Sequence, residues 1–526
     1  MFGAKNFALI ERKRTNIELM KTRLLLFVAA VLFVLNGMTQ TVKSEKRIEI
    51  ELKDGYSGER VFEFDSLGML LLSTQDIKEG ENMVYRFQKY NTDLVEISEV
   101  NYSINQSFRF DKSFQEGNNL HIFFKSRKGD YRILTYNFLS QKFHETSGVL
   151  PNKTGVVSTL YMNEMAYFLL KNRKNMYQVL TIDLNSEKES FSPIVIEGIK
   201  PRNMSVTSFE TMPESKNILA STRVKLSRKM SEMNLIRLNE KGEIAQRTEL
   251  KAENGNTIKD AQSFDLGNNN FFISGTYAAK GKVGSNGIYI TRIENGIVQP
   301  VYYHNFTDLK SFFTYTRKQD QSFFKKVKEG KAKRGKELNI SYLIASHRPI
   351  RVNDDFLYIG EAFYPTYRTE QKTVTTMVNG KYVTKTTYEQ VFDGFQYTHA
   401  IVAKFDRDGK LLWDESFPMV VQKPFYVKRF IQIDENESEK LKLVFATDNS
   451  ITTKILDFDG NVIVDKTSGQ IETNLEEDKT KFSYVDIEHW FGDYFLAYGE
   501  QKIVNKENKD VKKVRKVYFF NKVKLD

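Results

Sequence analysis

Cysteine is missing from all 526 residues. Its absence excludes disulfides, thiolate metal sites, cysteine nucleophiles and a lipid anchor carried on cysteine. Histidine is scarce as well: His121, His144, His304, His347, His399 and His489 stand singly, without the spacing of a metal site. No serine-nucleophile elbow or phosphate-binding loop occurs, and "GKAKRGKE" has the wrong spacing for one. "DRDG" (406–409) and "DFDG" (457–460) match only the start of a calcium loop and lack its bidentate Glu, so they read as hairpin turns. The sequence thus calls for no metal and no cofactor, and singles out no catalytic residue.

Long apolar runs are also missing, with one short exception. Lys21 and Arg23 precede an apolar stretch over 24–35, followed by Gly37 and Thr39. A basic start, a short apolar run and small residues read as a secretory signal peptide over 1–40, with Met20 as an alternative start. The run falls short of the roughly twenty residues a spanning helix needs; an uncleaved N-terminal anchor is the rival reading. The expectation is export to the periplasm, cell envelope or exterior, with no transmembrane segment once the signal is removed.

Amphipathic helical patterns are few, which argues against an α/β fold. What fills the chain is a repeat. A strand of aromatic and β-branched residues ends in a short Asn/Asp/Gly turn and another strand follows, as in "MYQVLTIDLNSEKESF", "GIYITRIENGIVQPVYY" and "TKILDFDGNVIVDKT". Upstream of each lies a further apolar strand, such as "NLHIFFKS", "MAYFLLK" or "LKLVFAT". Eight such pairs recur about fifty residues apart, except across one wide gap, with room for a strand before each. With 40% hydrophobic and 13% aromatic residues, a packed core is affordable. Repeated four-stranded units of this length predict an all-β fold: an eight-bladed β-propeller over 41–526, seven-bladed if one unit is misread. The last unit stops after its third strand, and "KRIEIELK" (46–53) precedes the first complete one; pairing the two would close the ring.

"AKFDRDGKLLW" resembles the tryptophan-docking repeat of quinoprotein-type propellers, with Ala403, Gly409, Lys410 and Trp413 in place and Phe405 where that repeat has Asp. The resemblance covers one blade and implies the fold, not quinone binding. The signal peptide and the Lys/Asn/Tyr/Phe-rich composition also resemble uncharacterised secreted propellers of Bacteroidota.

The wide gap holds two insertions, 305–347 and 364–396. In the first, Leu309, Phe312, Phe313, Phe323, Phe324 and Val327 recur at helical spacing after Asp308, predicting an amphipathic helix capped by that Asp. Residues 305–338 carry ten basic and four acidic residues, a net +6. The whole chain is +11, and the signal region, with six basic residues and two acidic ones, accounts for +4 of it. Almost all the remaining charge therefore sits on this insertion, a contact surface for an acidic partner, a polysaccharide or an anionic membrane surface. No recognition motif accompanies it, so nucleic acid is not an expected partner.

The second insertion reads "KTVTTMVNGKYVTKTTYE" at its centre, a hairpin turning at Asn379-Gly380. Successive turns of an antiparallel blade alternate between faces of the disc, so both insertions belong to one face. Tyr364, Tyr367, Tyr388, Phe395 and Tyr397 on the hairpin, with Lys325, Lys326 and Arg334 on the helix, are the candidate partner-binding residues. The bare hairpin edges are expected to lie against the helix or a partner. The composite reading is an exported, non-enzymatic binding or scaffold protein for a protein or glycan partner. The alternatives are a carbohydrate-active hydrolase or lyase using Asp354, Asp355 and Glu361 at an axial pocket, and a structural component of an envelope assembly.

Overall fold

Strands buried on both faces read as unbroken apolar runs, and that is why the repeat is so visible in the sequence. In the second strand of the first unit, Leu70 and Leu72 enter one hydrophobic cluster while Met69 and Leu71 enter another. The computed structural model describes residues 42–525, apart from 53–54, 228–229, 254, 280, 335–337, 339 and 435–439. The expected signal peptide lies outside the described residues.

Eight antiparallel sheets follow one another along the described chain, each a meander whose second and third strands are the apolar pair of the repeat. The fold is an eight-bladed β-propeller. The first strands of blades 2 and 3, 3 and 4, 4 and 5, and 7 and 8 touch one another, as the innermost strands around an axis do. Residues Val42–Glu51 pair antiparallel with Val514–Leu525 and complete the eighth blade as its outermost strand. The core settles the closure: each of its eight hydrophobic clusters lies between two adjacent blades. An open row of eight blades would have seven such seams. The eighth joins Leu496, Tyr518 and Phe520 to Met69, Leu71 and Tyr90, and Trp490 Nε1 donates across it to Gly68 O at 3.1 Å.

Outer strands dock onto the next blade. The Trp413 indole donates to Phe458 O at 3.0 Å and lies on Gly460, where a Cβ would come within 2.5 Å of the ring. Tyr302 of blade 5 covers Gly409 of blade 6 in the same way.

Blade 6 departs from the pattern. Its middle strands, Asp355–Val378 and Lys381–Phe405, run to 24 and 25 residues, against eight each in blade 7. Their pairing runs from Phe356 opposite Phe405 out to Val378 opposite Lys381, with register shifts between Ala362 and Phe363 and between Pro365 and Tyr367. Asn379 (φ 51°) and Gly380 (φ 76°) supply the two positive φ values of a type I′ turn.

The helix α1 spans Lys318–Ala332 and begins later than its spacing suggests. Asp308 ends a short 3-10 turn capped by the Asn305 side chain, and Phe306, Leu309 and Phe312 are buried between blades 5 and 6. The apolar spacing of 309–313 therefore serves the inter-blade core, not a helix face.

Candidate functional site

Connections from one blade to the next share a face of the disc with the connections between second and third strands. The helix and the hairpin therefore rise from one face, beside blade 6. Their roots are joined by a single aromatic cluster. Phe312 packs edge-on to the His399 ring (4.8 Å), and Tyr315 stacks on it at 4.0 Å. The Tyr315 and Tyr342 hydroxyls share a hydrogen bond. Burial pushes the His399 imidazole down to about 3. Its Nδ1 meets Thr398 Oγ1 at 2.9 Å, and its Nε2 is buried without a partner among the described residues. Upstream, the backbone N–H groups of Lys310 and Ser311 donate to the Asp414 carboxylate at 2.9 and 2.6 Å, tying the approach to the helix onto the outer strand of blade 6.

A second support comes from the link between blades 6 and 7, residues 419–431. Phe395 N donates to Pro424 O at 2.8 Å, and Gly394 (φ 92°) lies so close that a Cβ would sit 3.0 Å from that oxygen. The Lys423 ammonium pairs with Asp393 at 3.1 Å. The Tyr397 hydroxyl donates to Lys428 O and accepts from Lys428 N at 3.0 Å. Glu361, fully buried, accepts from the N–H groups of Phe430 and Ile431 and lies 2.8 Å from His347 Nε2.

Beyond this root the arm stands clear. The described side chains of 367–377 are exposed, as are those of 384–386 and 388–390. The contacts of α1 run instead to its own approach segment: Phe324 stacks on Phe313 at 4.5 Å, and Lys328 reaches Thr307 O and Asp308. The described hairpin edges are thus open rather than covered by the helix.

The candidate residues divide accordingly. Tyr364, Tyr367 and Tyr388 are exposed, and Lys325, Lys326 and Arg334 are exposed on and just after α1. Phe395 is half-buried against Phe363 and Phe392. Tyr397 is buried at 1% exposure, so its ring holds the root and offers no surface to a partner. Three further exposed aromatics lie on the arm and the blade 6–7 link. Tyr382 lies beside the turn, and Phe425 and Tyr426 lie on the blade 6–7 link, where they line a cavity of about 200 Å³ with Lys423, Lys428 and Tyr484. The "KPFYVKRF" run was the available signal for the last two.

The axis is bridged by arginines. Arg348 Nη2 donates to Thr211 O of blade 4 at 3.2 Å, and Arg429 reaches Gln262 of blade 5 at 3.4 Å. They border an axial cavity of about 480 Å³ in which Glu210 is the one carboxylate among the described lining residues. Burial pushes the Glu210 carboxyl above its ordinary range, against hydrogen bonds from Ser263 and the charge of Arg348. The three acids suggested for catalysis do not gather there. Asp354 is exposed at a turn, Asp355 pairs with Lys404 at 3.0 Å, and Glu361 is spent on the blade 6–7 link.

No family model and no curated protein matches the chain. Solved structures do, as propeller-type proteins. The dihydro-heme d1 dehydrogenase NirN is 10% identical, covering 90% of this chain and 78% of its own, with a TM-score of 0.40. The polysaccharide lyase Uly1 is 11% identical over 92% of this chain and 100% of its own, with a TM-score of 0.39. The WD40 domain of SCAP from fission yeast is 7% identical over 91% and 97%, with a TM-score of 0.38. The likeness is one of fold. No helix among the described residues is long and apolar enough to cross a membrane.

Proposed function

We propose that the protein is an exported, non-enzymatic propeller that grips a protein or glycan partner with the face bearing α1 and the hairpin. The observation that supports this best is the arm itself. A paired ribbon with exposed Tyr364, Tyr367, Tyr382 and Tyr388 extends from a root held on both sides by buried contacts. Tyrosines supply contact area at low entropic cost, and a rigid root reduces what must be ordered on binding. Unpaired ribbon edges also offer main-chain hydrogen bonds to an added strand. The basic α1 adds long-range attraction for an acidic partner surface.

Affinity capture from envelope extract tests this with the full exported chain and two altered forms. One replaces 370–389 by Asn-Gly, so that Thr369 still faces Gln390. The other reverses Lys325, Lys326 and Arg334 to Glu. Excising all of 305–338 is unsuitable, because Phe306, Leu309 and Phe312 belong to the core. The partner should be lost from the shortened arm and weakened by the charge reversal. Equal recovery by all three forms would overturn the reading.

A further inference from the structure

A second site is built on the same face, at the seam of blades 4 and 5. The inner strand of blade 5 is broken into Asn256–Ile258 and Gln262–Gly267, both paired to Asn270–Ala279. The break turns Lys259 toward blade 4, where Arg223 Nη2 donates to its carbonyl at 3.0 Å. The Lys259 ammonium donates to Lys282 O at 2.7 Å. Burial, and then the charge of Arg223, lower the Lys259 pKa. Arg223 Nε is buried with no hydrogen-bond partner among the described residues.

These two cations lie in a cleft of about 450 Å³ that Arg202, Lys225 and Lys282 also line. No Asp or Glu is among the described lining residues. None of the five cations forms an ion pair among the described residues. The neighbouring Asp260 feels the charge of Arg223 but spends its carboxylate on Thr276 and Ser346. Five cations held in one concavity, two of them (Arg223 and Lys259) donating to backbone carbonyls, are a preformed anion site, since opposite charge arriving there relieves their mutual repulsion.

We propose that this cleft binds a stretch of anionic polysaccharide, a glycan carrying uronate or sulfate groups. Its volume suits an oligosaccharide-sized ligand. Its cations come from four separate chain segments, which matches a chain with spaced charges better than one compact anion. Met204, Met230 and Val283 offer apolar contact beside the hydrogen-bonding groups of Asn203, Ser205 and Thr257. The described lining has no aromatic ring, the stacking platform that single-stranded nucleic acid requires. The site stands apart from the arm of blade 6 and does not depend on the reading given to it.

Calorimetric titration of the full exported chain with a heparin-derived hexasaccharide, with an oligogalacturonate and with neutral dextran tests the proposal. One or both anionic probes should bind and dextran should not. Lys225→Glu with Lys282→Glu, both at exposed positions, should weaken binding about tenfold or more. Reversal of Lys325 and Lys326 should leave it unchanged, and the form with 370–389 replaced should bind as the intact chain does. No binding by either anionic probe, equal binding of dextran, or unaltered binding by the Lys225/Lys282 variant would overturn the site. Loss of the captured partner with the shortened arm, but retained glycan binding, separates the two sites.

Discussion

The two long strands of blade 6 pass through two environments, with two register shifts at the boundary, between Ala362 and Phe363 and between Pro365 and Tyr367. From Phe356 to Phe363, and back from Tyr397 to Phe405, they are buried between blades 5 and 7. From Tyr367 to the turn and back to Gln390, the described side chains, Thr387 apart, are exposed. Both halves are paired residue for residue on either side of these shifts, so pairing does not distinguish them. Side-chain burial does: the root is ordered by packing and the arm by its ladder and turn alone. Stability should therefore be concentrated in the root, and recognition in the arm.

The harshest way to break this division is at the joint. Phe312 is 1% exposed and contacts Phe306, Phe313, Tyr315, Tyr342 and His399. Phe312→Ala should cost about 3–5 kcal/mol, through lost burial and the cavity left behind. Urea denaturation followed by tyrosine fluorescence reads it. A loss under about 1 kcal/mol would mean that the joint does not hold the root.

Acid probes the same joint. The His399 imidazole titrates at about 3 in the folded chain and near 6.5 when unfolded. Above about 6.5 neither state binds the proton, and the stability due to the neutral ring is fully present. As pH falls through the window down to about 3, the unfolded chain takes up a proton that the folded one refuses, so stability drops. The slope reaches about 1.4 kcal/mol per pH unit. His399→Phe keeps a ring against Tyr315 and should flatten this contribution, seen as a variant whose advantage over the parent grows from pH 6.5 downward. His121, lowered to about 4 by burial, titrates alike in both proteins and cancels.

A milder loosening is Tyr397→Phe. It leaves the ring but removes the hydroxyl that bridges Lys428 O and Lys428 N. The expected cost is about 1–2 kcal/mol, from one lost hydrogen bond and two backbone groups left short of partners. Thermal melting measures it.

How much of this was legible beforehand follows from the same contrast. The second and third strands of every blade announce themselves because both faces are buried, as in "NLHIFFKS". Outer strands such as Glu189–Ile194 ("ESFSPI") carry no such signal, and the broken inner strands of blades 5 and 6 are shorter than any periodicity can register. Leu309 and Phe312 mimic a helix because three-residue spacing also suits a compact turn plugging an inter-blade seam. On the hairpin, composition marks Tyr364 and Tyr397 equally; only the register, which sends one to solvent and the other to Lys428, tells them apart. Charge shows the same limit. The ten cations of 305–338 are contiguous and visible in sequence, whereas those of the blade 4–5 cleft come from four segments and meet only in the fold.

The smallest global effect should come from the turn. Asn379 holds φ at 51°, a left-handed conformation that Asn tolerates better than other residues with a Cβ. Asn379→Ala should cost the turn about 1 kcal/mol. If the arm were part of the cooperative core, the melting temperature would register that cost. With the arm standing clear of α1 and of the disc, the melt should be unchanged within error. Amide exchange should instead quicken along 369–390, while 356–363 and 397–405 stay as protected as before. A uniform rise in exchange through the root would show that arm and root unfold together, and would remove the basis for assigning packing to one and recognition to the other.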